Sequence, residues 1–511
     1  MDKVLILDFG SQYTQLIARK IRELCVYSEI RPFNISINEI KAFDPKAIIL
    51  SGSPASTFDD NAPNIKQDLF DLKRPILGIC YGMQITAIHN KGKMLKKSVS
   101  QYGPANINIS NNKTLFKGCT NKLKVWMSHG DTLIKLPNGF TEIANAIEPS
   151  GKVIAAIENI DDKIWGLQFH PEVHHTPDGK TILGNFLDLS LVKRDFLISK
   201  FAETKIKEIK EKVSGSKVIC ALSGGVDSSV TASLIQKAIG DNLICIFVNN
   251  GLLRKNESRE VLKLYQSMNF NIKHVDATEL FLTRLKGVSE PEEKRKIIGR
   301  TFIEVFEKEK QSIDNVSFLA QGTTYPDVIE SVSLKGPSST IKSHHNVGGL
   351  PEKMNLTLLE PIRELFKDEV RNLGRELGVP QKTLMRHPFP GPGLGIRILG
   401  EVTKKSILTL QEADAIVTEE IISANLYDKI WQLATIFLPI KTVGVKGDER
   451  SYENVVAIRA VESVDGMTAD WCDLPHEVLR KISNRIINEV TGINRVVYDI
   501  SSKPPATIEW E

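Results

Sequence analysis

Short runs of consecutive apolar residues, bounded by turns, dominate the first third of the chain. Residues 4–9, 47–50, 75–80 and 164–169 read as strands buried on both faces. Between the first two, residues 11–24 place Leu16, Ile17, Ile21 and Leu24 on one helical face. Strands that alternate with helices predict an open α/β sheet. The pattern pauses over residues 200–212, where Phe201, Ile206 and Ile209 punctuate a lysine- and glutamate-rich run. That spacing predicts an amphipathic helix whose lysines form its solvated face and which leads into a new domain. From Lys217 the βα alternation resumes, with strands at 218–222, 243–248, 272–275 and 317–321 and helices at 228–239 and 257–268. The run His387-Pro-Phe-Pro-Gly-Pro-Gly-Leu-Gly395 continues neither a helix nor a central strand and marks a boundary or a functional loop. Beyond it a helix at 412–424 and strands at 455–459 and 495–500 suggest a small α+β region. The fold class predicted is therefore α/β, with two doubly wound parallel-sheet domains and a smaller C-terminal α+β domain. The boundaries are placed at 1–195, 196–390 and 391–511.

A length of 511 residues agrees with three or four domains. Lysine and arginine number 66 against 62 acidic residues, a balance that argues against a nucleic-acid footprint but leaves room for a local basic pocket. No run reaches the ~18 apolar residues of a membrane span. The start, Met1-Asp2-Lys3 followed at once by the first strand, has none of the features of a signal peptide. Six scattered cysteines without a CxxC pair predict reduced thiols in a cytoplasmic protein.

The first chemical signal is Pro75-Ile-Leu-Gly-Ile-Cys80-Tyr-Gly-Met-Gln84, a strand, a tight turn and a helix. A cysteine at such an elbow stands above the sheet edge. The following helix N-terminus lowers its thiol pKa and can hold a developing oxyanion. Taken alone, Cys80 reads as a buried structural thiol, and His170 as a strand-end histidine satisfied by backbone. Glu172, however, lies two residues beyond His170, where an extended chain points both side chains the same way, so the carboxylate can orient the ring. The elbow, the later His170-Pro-Glu172 and the preceding Leu50-Ser-Gly-Ser-Pro54 together resemble the class I glutamine amidotransferase family. The resemblance implies that Cys80 attacks the glutamine amide, with His170 as base and Glu172 as its orienter. The N–H groups of Gly52 and Tyr81 would form an oxyanion hole. Gln84 and the Ser128-His129-Gly-Asp131 stretch would help to bind glutamine, although His129 by itself reads as structural.

The second signal is Ser223-Gly224-Gly225-Val226-Asp227-Ser228, a loop between strand and helix that aims backbone N–H groups at one point. It lacks the Gly-Lys-Ser/Thr of a Walker loop and resembles the ATP pyrophosphatase superfamily. That resemblance implies ATP bound over residues 223–228, adenylation of a carbonyl oxygen, and magnesium as the one cofactor, with no organic prosthetic group. Asp227 is the candidate metal carboxylate, and otherwise a helix N-terminal charge.

Residues 320–330 and 341–351 are similar to the catalytic lid of the GMP synthetase family, and Ser501 to Glu511 to its XMP-binding end. By that match Asp327 and Glu330 assist nucleotide activation and Lys342 and His344 sit on the lid. Lys503, Thr507, Ile508 and Glu509 contact XMP, and Arg397 meets its phosphate. A prolyl tail can equally be disordered. His344-His345 lacks the further ligands of a metal site. The family expectation is glutamine hydrolysis, adenylation of XMP at O2 and amination of C2 to GMP, by a homodimer that binds neither nucleic acid nor membrane. The rival readings are a tRNA thiolase, an NAD or asparagine synthetase-type amidotransferase, and a non-enzymatic protein on an enzyme fold. The thiolase needs a catalytic cysteine near the loop, whereas Cys220 and Cys245 fall inside core strands.

Overall fold

A computed structural model describes residues 1–148, 151–331, 356–446, 448–463 and 468–511. They group into two compact units, one of Met1–Phe201 with residues 326–331 and the other of Ala202–Tyr325 with the described residues from 356 onward.

The first unit is organised by a nine-stranded sheet in the order β2-β1-β3-β4-β9-β8-β7-β5-β6. Its parallel half contains β1 (Lys3–Asp8), β2 (Tyr27–Pro32), β3 (Ala47–Leu50), β4 (Ile76–Ile79) and β9 (Ile164–Leu167). Residues of β3, β4 and β9 are buried throughout, which is why those strands read as unbroken apolar runs. The helix Thr14–Glu23 buries Ile17, Ala18 and Ile21. In addition to the parallel half, the sheet carries four antiparallel strands that the apolar runs did not announce. They are β5 (Lys93–Ile109), β6 (Lys122–Lys135), β7 (Thr141–Glu148) and β8 (Gly151–Asn159). Strand β6 alternates exposed and buried positions over its first half, and β5 contains Pro104. Pro104 is tolerated because β5 meets β7 only over Ile107–Ile109, so one side of the strand is an edge at residue 104.

The second unit holds a five-stranded parallel sheet in the order β12-β11-β10-β13-β14. Its strands are β10 (Lys217–Leu222), β11 (Leu243–Asn249), β12 (Ile272–Asp276), β13 (Val316–Ala320) and β14 (Thr357–Leu359). The predicted helices appear as Val226–Ile239 and Glu257–Ser267. A smaller sheet follows, in which β16 (Glu449–Glu462) pairs with β15 (Gln432–Lys446), β17 (Asp470–Trp471) and β18 (Ile493–Tyr498). Pro439 hides β15 from a sequence reading, yet it falls where the β15–β16 register slips between Leu438 and Thr442, so its missing N–H disrupts no regular ladder. The helix expected at 412–424 begins two turns earlier, as Lys404–Ser423, capped by the Thr403 hydroxyl on the Ser406 N–H. The buried residues of both sheets, from Ile219 and Ile246 through Leu394 and Ile398 to Val456 and Ile482, form one continuous core. The Pro-Gly run therefore crosses a shared core rather than a solvated linker.

Candidate functional site

Cys80 occupies the turn between β4 and the helix Tyr81–His89, with φ 53° and ψ −106°. A side chain rarely adopts that conformation, and holding it costs on the order of 1–3 kcal/mol. The neighbouring glycines make the turn possible. A Cβ on Gly82 would lie 2.3 Å from the Leu50 carbonyl oxygen, and one on Gly78 would lie 2.5 Å from Gly82. The Gly82 N–H instead donates to the Ser51 carbonyl at 3.0 Å, tying the elbow to the loop after β3.

The chain brings His170 to Cys80 through β9. The Cys80 N–H donates to the Leu167 carbonyl at 2.7 Å, and the His170 N–H to that of Trp126 at 3.0 Å. His170 Nδ1 and Glu172 Oε1 are 2.7 Å apart, with side chains 3% and 0% exposed. Burial pushes the imidazolium pKa down, but the Glu172 carboxylate and the charge and hydrogen bond of Cys80 outweigh it and hold it well above its ordinary value. The sign follows directly. This raised value stabilises the fold fully below an unfolded histidine's pKa of about 6.5, and the contribution is lost as pH rises through the folded value. Glu172→Gln removes the largest favourable charge, so the His170 pKa falls. The glutamine-supported rate is expected to drop by about 10²–10⁴ with the ammonia-supported rate unchanged. Steady-state rates with each nitrogen donor check this, and an equal loss with both donors would refute it.

Gly52 lies against the histidine, since a Cβ there would meet His170 Cε1 at 3.1 Å. Tyr81 opens the helix, where first-turn N–H groups have no intrahelical partner. Of the two proposed oxyanion donors, Gly52 thus stands beside the histidine in the loop after β3, and Tyr81 directly follows Cys80 in the elbow. Of the stretch Ser128–Asp131 on β6, the Ser128 carbonyl lies 3.3 Å from Cys80 Sγ. His129 is buried with Nδ1 3.0 Å from the Asp131 carbonyl. The Asp131 carboxylate accepts from Ser56 Oγ at 2.8 Å and from the Thr57 N–H at 2.8 Å, fastening the loop after Gly52. The sequence reading missed Ser56, Thr57, Gln168 and Tyr13, whose ring stands edge-on to His170 at 5.0 Å. Only Gln168 carried a signal, as a polar residue inside an apolar strand run.

The second centre is the loop between β10 and the helix Val226–Ile239. Its serines brace it from within. Ser223 Oγ and Ser228 Oγ are 3.1 Å apart, the Gly225 N–H reaches Ser223 Oγ at 3.3 Å, and Ser229 Oγ donates to the Gly225 carbonyl at 2.6 Å. Gly224 has φ 75° and its carbonyl accepts from Arg386 Nη1 at 2.9 Å, while Arg386 also pairs with Glu257. Asp227 pairs with Lys367 at 2.5 Å. Sequence spacing could not have found Arg386 or Lys367, which lie 162 and 140 residues from their partners. Magnesium is bound through one or two carboxylates together with substrate phosphates, and Asp227, partly exposed beside the 223–228 loop, could serve as one of them once Lys367 turns from it. Asp327 is half-buried on the helix Tyr325–Ser331. The side chain of Glu330, and Lys342 and His344 altogether, lie outside the described residues.

The C-terminal segment is tied down. Arg397, fully buried, donates two bonds to Glu509, Nε to Oε2 at 3.0 Å and Nη2 to Oε1 at 2.7 Å. Gln432 also donates to Glu509. Arg397 thus commits Nε and Nη2 to Glu509, while its buried Nη1 makes no hydrogen bond among the described residues. Arg459 gathers the carbonyls of Ser501, Thr507 and Ile508 at 2.9–3.0 Å and pairs with Asp499 at 2.9 Å. It was visible as a lone cation in the apolar run of β16. Thr507 lines an open pocket of about 530 Å³ with Asp499 and Trp510, whereas Lys503 lines a different one of about 630 Å³ with Glu462 and Asp470.

Comparison with known proteins matches residues 5–189 to the class I glutamine amidotransferase family, 198–298 to NAD synthase and 419–510 to the GMP synthase C-terminal domain. Fold, elbow and loop thus define a glutamine amidotransferase joined to an ATP-using synthetase. Proteins named GMP synthase (glutamine-hydrolyzing) align over this whole chain. That of Brachyspira hyodysenteriae is 58% identical over 99% of its own length. That of Chlorobaculum tepidum is 55% identical over 99%, and that of Solidesulfovibrio magneticus 56% over 99%. The chain belongs to the glutamine-hydrolysing GMP synthase family.

Proposed function

We propose that this enzyme hydrolyses glutamine at Cys80, adenylates XMP at O2 with ATP, and lets the released ammonia displace AMP from C2 to give GMP. The single observation that carries the reading is the strained Cys80 elbow facing the buried His170–Glu172 pair, in a chain that also holds the 223–228 loop. The Cys80 thiolate attacks the glutamine amide carbon. His170 takes the thiol proton and returns one to the leaving ammonia, and Gly52 and Tyr81 N–H groups receive the oxyanion. The loop N–H groups and Lys367 bind the triphosphate, and Glu509, fixed by Arg397, accepts from purine N–H groups. Asp227, once Lys367 turns to the phosphates, would hold magnesium, which would neutralise charge on the departing pyrophosphate.

The boundary at 195/196 is supported by family matches that end at 189 and resume at 198, and a distinct C-terminal part within 391–511 by the match over 419–510. A homodimer is supported by Ile440, Val443, Val445 and Tyr452, which leave apolar side chains exposed on β15 and β16. A monomeric mass in light scattering would rule the dimer out. All six cysteine thiols are free, which suits a cytoplasmic setting. No helix among the described residues is long and apolar enough to cross a membrane. GMP formation from XMP and Mg-ATP, supplied in turn with glutamine and with ammonium salt, tests the central reading. Product with both donors is expected; product with neither overturns it.

A further inference from the structure

Gln168 is fully buried, with Nε2 3.9 Å from Cys80 Sγ and Oε1 3.4 Å from Gln84 Nε2. The amide orientations are fixed by a chain of partners. A backbone carbonyl only accepts, so the Asp131 carbonyl, 3.2 Å from the Gln84 amide, requires an N–H there. The same Gln84 amide then faces Gln168, which must present its oxygen to Gln84 and its N–H to the sulfur. Cys80 has one close neighbour of the opposite character, the Ser128 carbonyl at 3.3 Å. That oxygen accepts from the thiol and repels the thiolate.

We propose that Gln168 is a catalytic residue of the glutaminase centre, donating its side-chain N–H to the Cys80 thiolate, and that Gln84 acts through Gln168 as a positioning residue. The inference rests on the assignment of Cys80 as nucleophile. The donor gains strength as charge develops on sulfur, because a hydrogen bond to an ionised acceptor is about twice as strong as a neutral one. It therefore favours the thiolate over the thiol and opposes the Ser128 carbonyl. His170 supplies the base and Gln168 a fixed dipole, so the two contributions are separable by pH.

The test is the pH dependence of Cys80 alkylation by iodoacetamide, followed by peptide mass so that the exposed Cys25 does not interfere. In Gln168→Met the apparent thiol pKa is expected to rise by about one unit, and the glutamine-supported rate to fall about tenfold through kcat rather than KM. Gln168→Glu keeps the shape but puts a carboxylate oxygen at the sulfur, and shifts the profile further the same way. Gln84→Met shifts it less. An unmoved alkylation profile in the Gln168 variants overturns the proposal, even if activity falls. The ammonia-supported rate stays at the wild-type level in all three variants. Its loss in them would likewise overturn the proposal, since the effect would then not be confined to the thiol. If Cys80 is not the nucleophile, Cys80→Ala retains glutamine use, which is a different failure.

Discussion

Cys80→Ala loses glutamine-supported GMP formation by about 10⁴-fold or more while the ammonia-supported rate stays within about twofold of wild type. The first half follows from chemistry: alanine has no nucleophile, and water positioned by His170 is a poor substitute. The second half follows from structure. The elbow conformation is set by the close backbone approaches at Gly78 and Gly82 and by the bond from Gly82 to Ser51, none of which uses the sulfur. Alanine carries the same Cβ as cysteine, so it adds no backbone strain at φ 53°. The synthetase chemistry draws on a different sheet and a different loop. The assay is initial GMP formation with each donor over a range of concentrations. Retained glutamine activity would place the nucleophile elsewhere. Equal loss with both donors would mean that the two centres do not divide the labour.

The second large effect is on stability and on the nucleotide site together. Arg397→Met removes a guanidinium that is fully buried and leaves Glu509, only 16% exposed, without its bidentate partner. Breaking such a pair from one side costs about 3–5 kcal/mol, because a desolvated charge is left uncompensated. Glu509 is then expected to lose its place while Thr507, Ile508 and Glu511 keep their bonds to Arg459, Lys294 and Arg295, lowering the denaturation midpoint and raising KM for XMP with either nitrogen donor. The double substitution Arg397→Met with Glu509→Gln separates the two roles. Neutralising both partners is expected to recover most of the stability, but not the affinity for XMP if the Glu509 carboxylate reads the purine. Recovery of both would reduce Glu509 to a structural acid. A single Arg397→Met variant with wild-type melting would show that the pair contributes little.

The site was legible to different depths along the chain. Cys80, His170 and Glu172 were readable because each has a local cause: an elbow flanked by glycines, a strand end, and a two-residue spacing. The 223–228 loop was readable for the same reason, since five consecutive bonds of chain set its shape. Glu509 was readable as a candidate, but its engagement with Arg397, 112 residues away, was not. Arg386 and Lys367 were silent because a cation on a helix or in a loop looks like a solvated face until the fold closes on it. The amide chain from Asp131 through Gln84 and Gln168 to Cys80 joins β6, the helix Tyr81–His89, the residue after β9 and the turn after β4, and no spacing encodes it.

The amino-acid sequence by itself determined the α/β class, most of the parallel strands, and the local shape of the elbow and of the 223–228 loop. Apolar runs, helical periodicity and glycine turns act within about ten residues of chain, and so do elbows and anion loops. The tertiary structure alone decided the antiparallel half of the first sheet, the register slip that admits Pro439, and the fusion of the second and third sheets into one core. It also decided which charges are neutralised and which way each buried amide points. Those features depend on strand partners and desolvated contacts between residues far apart in sequence. Their energies exist only once the chain has excluded water from between them.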